Sequence, residues 1–167
     1  MILNNKTNIP NSILSKALLS SAFMVEADPK KIVVEVVDKR CKYIRGMAWE
    51  PKTNGKYDIK LWFPVKWYGN QRQRGKRRDE DHPLVWAETI YRVMVHEWKH
   101  IADHQTGNDY DFSKRGPGGR RPRHDDRPEE MRAYSSELPA LKRLKASQEG
   151  RDILNSLADY AAGKPRS

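Results

Sequence analysis

From Leu84 to Gln105 the chain runs without a glycine or a proline, and its apolar residues return at helical spacing. A helix of that length extends about 33 Å, the width of a small domain, so the rest of the chain must pack around it. Pro83 suits its first turn, and Asp79 to Asp81 supply acidic residues ahead of its N-terminus. At ~100° per residue, Ala87, Ile90, Met94, Trp98 and Ile101 gather on one side, while His96, His100 and Asp103 gather on the other. The apolar side is a core face. The polar side needs a different explanation.

The remaining segments set the fold class as α+β, with all 167 residues in one domain and flexible tails at 1–10 and 163–167. Asn11 or Ser12 begins a short helix reaching about Met24, with Ile13, Leu14, Ala17, Leu18 and Ala22 on its buried side. Strands are expected over Lys31 to Asp38, Lys42 to Glu50 and Lys56 to Phe63. In the last of these, Tyr57, Ile59, Leu61 and Phe63 alternate with Asp58, Lys60 and Trp62, and the Asn54-Gly55 pair before it suits a hairpin turn. The reading is a small antiparallel sheet, a meander of three strands. After the long helix comes a glycine-rich loop over 106–126, then a helix from near Pro128 with a bend or break at Pro139, and a last helix from about Ser147 to Ala162.

Composition narrows the functional classes. The single cysteine, Cys41, rules out an intrachain disulfide and a cysteine-based zinc ribbon, and it fits a reducing compartment, with cytoplasm as the expectation. The apolar stretch from Ile13 to Val25 is interrupted by Lys16 and three serines and is too short to span a bilayer. No membrane role is expected. The net charge of +10 is concentrated in two clusters, Arg72, Arg74, Lys76, Arg77 and Arg78, and Lys114, Arg115, Arg120, Arg121 and Arg123. These are solvated loops, or they contact nucleic acid or an acidic partner; few aromatics lie among them for base stacking.

The polar side of the long helix carries the sharpest motif, His96-Glu97-Trp98-Lys99-His100. Two histidines four apart project from one face a turn apart and can reach one ion. Glu97 lies about 100° around the helix, where its carboxylate can accept a proton from water at that ion rather than bind the ion itself. Zinc suits such a set, since it lowers the pKa of its water from about 15.7 to about 7 and polarises a carbonyl. In a chain with five histidines this motif arises by chance about 1% of the time. A third ligand must come from another element, and Arg127-Pro128-Glu129-Glu130 opens the next helix with carboxylates. Of the two, Glu130 shares a face with Ala133, Tyr134 and Glu137, whereas Glu129 falls with Arg132 toward the outside.

The order of elements over residues 31 to 147, with His-Glu-x-x-His on one helix and Glu130-Met131-Arg132-Ala133 on the next, resembles the gluzincin metallopeptidases. The nearest resemblance is to the minigluzincins and the ImmA/IrrE-like proteins. It implies a zincin-like fold in which His96, His100 and Glu130 bind Zn2+, Glu97 is the general base, and one sheet edge holds a protein or peptide substrate for hydrolysis. Larger gluzincins carry an Asp four residues after the third ligand, where this chain has Tyr134. Tyr134 lies one turn after Glu130 and is the second candidate catalytic residue, as a donor to a developing oxyanion. Asp103 is a candidate hydrogen-bond partner for a ligand imidazole. His104 is too far along the helix to share the ion, about 9 Å in rise from the midpoint of the other two histidines. The alternative is a binding protein that uses its basic loops, with structural zinc or none.

Overall fold

The computed structural model describes residues 1–38, 45–48, 58–63, 83–108 and 126–161. Four strands, β1 (Ile2–Lys6), β2 (Val33–Asp38), β3 (Arg45–Ala48) and β4 (Ile59–Phe63), form one sheet in the order β1-β2-β4-β3. β1 pairs with β2 and β2 with β4 in parallel, and only β3 and β4 are antiparallel.

The antiparallel meander expected from the sequence is therefore replaced by a mixed sheet. The reason lies in β1, which falls within residues 1–10, a polar stretch that the sequence reads as a flexible tail. With β1 in place, helix α1 (Asn11–Met24) becomes the crossover of a β1-α1-β2 unit, and such a connection makes parallel neighbours. β2 then lies between two strands. Its Val33-Val34 and Val36-Val37 pairs are the near-continuous apolar run of an interior strand. β4 inserts beside it, with Val34 opposite Ile59 and Val36 opposite Leu61, and among the described residues this leaves β3 at the edge.

Among the described residues three further helices follow: α2 (Pro83–Gln105), α3 (Pro128–Ala146) and α4 (Gln148–Ala161). One face of the sheet, formed by Val34, Val36, Ile59, Leu61 and Phe63, is buried together with Leu14, Ala17 and Leu18 of α1 and Ala87, Ile90, Met94 and Trp98 of α2. α2 is the hub and touches α1, α3, α4, β3 and β4. α3 runs through Pro139 without ending there, and it bears Pro128 at its start, where a missing N–H costs nothing. At the next corner the Ser147 hydroxyl accepts the Gly150 N–H at 2.9 Å and caps α4. A Cβ on Gly150 would strike the Leu144 carbonyl, so glycine lets α3 and α4 meet closely. Both basic clusters, Cys41, the Asn54-Gly55 turn and residues 163–167 lie outside the described residues. Among the described residues, no helix is long and apolar enough to cross a membrane.

Candidate metal centre

The apolar side of α2 enters the core as its periodicity requires, and its polar side is buried too, because α3 lies along it. His96 and Asp103 are almost fully covered, and His100 is half-buried. From α3, Glu130 projects into the same space and is itself buried. The ligand atoms of His96, His100 and Glu130 lie within 4.8 Å of one another. Glu130 Oε2 is 3.1 Å from His96 Nε2 and 3.6 Å from His100 Nε2.

These separations fit a metal ion. Three atoms arranged tetrahedrally at zinc-ligand distances of about 2.0–2.1 Å stand roughly 3.4 Å from each other. The donor set of two imidazoles and one carboxylate is also one that catalytic zinc sites use. The chain thus presents a possible metal-binding triad, with a ring nitrogen from each of two turns of α2 and an oxygen from α3.

Surrounding groups prepare the site for a cation. The other nitrogen of His96, Nδ1, lies 3.1 Å from Glu137 Oε1, and the Arg92 guanidinium donates to Glu137 Oε2 from Nε at 2.9 Å and Nη2 at 2.8 Å. Burial opposes a charge on His96, but hydrogen bonds to Glu130 and Glu137 and the nearby charge of Glu97 outweigh it and push the imidazole up to about 9. A proton there does in part what a metal ion would do, neutralising carboxylates packed round an imidazole.

Glu97 points elsewhere, as its position on the helix requires. Its carboxylate is buried against β3, where the Ala48 backbone N–H donates to it, and burial raises it to about 7 despite the opposing charges of His96 and His100. A Cβ built on Gly46 would lie 2.7 Å from the Glu97 carboxyl carbon. Glycine at 46 is what lets the edge strand close over the acid.

Tyr134 packs its ring on His96, with centroids 4.6 Å apart in an edge-on arrangement, and is half-exposed. Asp103 does not serve a ligand imidazole. It accepts from Lys99 Nζ and Arg132 Nε, both at 2.7 Å, and these two cations hold it below the usual aspartate range against the effect of burial. Arg132 also donates to the Asn108 carbonyl at 2.8 Å, so this group ties the end of α2 to α3. His104 and Glu129 stand outside the triad.

Three residues escaped the sequence reading of the site: Glu137 as the partner of His96, Arg92 as its clamp, and Gly46. Spacing does hint at the first two, since Glu137 is seven residues beyond Glu130 and Arg92 four before His96, each on the face of the residue it serves. Nothing local in the sequence marks Gly46, which meets Glu97 only through the packing of β3 on α2. Compared with family models, curated proteins and solved structures, the chain matches none.

Proposed function

We propose that the protein is a zinc-dependent metallopeptidase of the gluzincin type, hydrolysing peptide bonds at the His96, His100 and Glu130 centre. The observation that carries this reading is the triad of His96, His100 and Glu130, whose spacing fits zinc, together with Glu97, a buried carboxylate held at β3 that feels the charges of all three. When bound, the ion would supply Lewis acidity toward a carbonyl and acidity to water at neutral pH.

The chain's own residues do the rest. His96, His100 and Glu130 would hold the ion from two helices pinned together by the Asp103 and Glu137 ion pairs. Glu97 accepts a proton at its carboxylate from the attacking water and returns it to the departing amine. The Ala48 N–H and the bare Gly46 backbone fix that carboxylate. Among the described residues β3 is the last strand of the sheet, and it carries both residues, so an extended substrate added along its outer edge would pass close to the base. Tyr134, whose ring contacts His96, would donate to the oxyanion.

Glu97→Gln tests this. The amide keeps the shape but cannot take a proton, so hydrolysis of a verified peptide substrate should fall about 10²–10⁴-fold while zinc and fold are retained. Cleavage at the wild-type rate would remove Glu97 from the mechanism.

A further inference from the structure

The imidazole of His96 is gripped on both edges by one helix. Nε2 faces Glu130 in the triad, so the nitrogen left over is Nδ1, and it meets Glu137 Oε1 at 3.1 Å. Glu130 and Glu137 are two turns apart on α3, within about 20° of the same face, so a single helix can supply both contacts. Glu137 is itself buried and is not free to turn away. Its second oxygen takes two N–H groups of Arg92, which stands one turn before His96 on α2. The position one turn after Glu130 is filled by Tyr134, whose ring meets that of His96 in an edge-on contact. An aromatic ring there offers no carboxylate, and the acceptor is found one turn further on.

Building on the metal-centre reading, we propose that Glu137, clamped by Arg92, is the positioning residue that holds His96 with its proton on Nδ1 and its Nε2 lone pair turned to the ion. A carboxylate on the far nitrogen fixes the tautomer and makes the imidazole a stronger ligand. The competing account is a purely structural one, in which Arg92, Glu137 and His96 only join α2 to α3. That account lowers the melting temperature of Glu137 variants but leaves the zinc affinity of the folded chain unchanged.

Zinc affinity, measured by competition with a chromophoric chelator on wild type, Glu137→Gln and Glu137→Ala, separates the two. Glu137→Ala should weaken zinc binding by about 10–100-fold, and Glu137→Gln, which keeps one acceptor oxygen to share between Nδ1 and Arg92, should weaken it less. In long-range ¹H–¹⁵N spectra of the zinc-loaded wild type, His96 should carry its proton on Nδ1. A proton on Nε2 overturns the proposal, as does a folded Glu137→Ala that binds zinc like wild type. If that variant does not fold, the wild-type spectrum and the Gln variant decide. A wild type that takes up no zinc refutes the metal centre as a whole, whereas zinc binding that is indifferent to Glu137 refutes only this role.

Discussion

Around His96 and His100 stand three carboxylates, Glu97, Glu130 and Glu137, and this concentration of negative charge sets how the metal-free chain responds to pH. His96 is raised from 6.5 to about 9, so its contribution to stability is complete below about pH 6.5 and is lost as pH rises through about 9. Glu97 is raised from 4.5 to about 7, so its contribution, present while the acid is protonated, is lost as pH rises through about 7. Both act in the same direction. Thermal melts in the presence of a chelator should therefore show a falling melting temperature from about pH 5 to about pH 9, and added zinc should flatten the fall by replacing the proton on His96. A metal-free protein as stable at the alkaline end as at the acid end would mean that these groups do not share one another's fields as described.

At the scale of elements, β3 against α2 is the contact that makes the site more than a pair of histidines. Gly46→Ala places a methyl where the Glu97 carboxylate lies. The acid is buried and bonded to the Ala48 backbone, so relief must come from the base or from the strand. The variant should lose about 1–3 kcal/mol of stability and at least tenfold in peptidase activity while keeping its zinc. Activity equal to wild type would show that β3 does not position Glu97. This contact also marks where reading the sequence stops. The starts of α1 to α4 are legible to within a residue or two from their apolar periodicity and turn residues, although α3 continues through Pro139, where the sequence leads one to expect a bend or break, and the two histidines of the triad are legible because ligands four apart need only one helix. The partner of β2 was not, because alternation tells which face of a strand is inside and is silent on which strand lies beside it. Asp103 is a candidate partner of a ligand imidazole by its face alone, but it pairs instead with the cations Lys99 and Arg132. Glu137 and Gly46 depend on how α3 and β3 dock on α2, and docking is a property of the packed chain rather than of any segment.

For the whole molecule, the net charge of +10 predicts an attraction to polyanions that weakens with salt, since each neutralised phosphate releases counterions. Replacing Arg72, Arg74, Arg77 and Arg78 with neutral residues should flatten the dependence of polyanion binding on salt concentration. Equally weak binding by both proteins at low and high salt would return that cluster to solvated surface. The central claim, however, is the metal centre, and the most direct measurement is the zinc content of the purified chain and of two variants one residue apart. Wild type and Glu129→Ala should each hold one zinc ion per chain, while Glu130→Ala, left with two imidazoles, should lose it together with activity. Zinc retained by Glu130→Ala and lost by Glu129→Ala, or no zinc taken up by the wild type, would contradict the account.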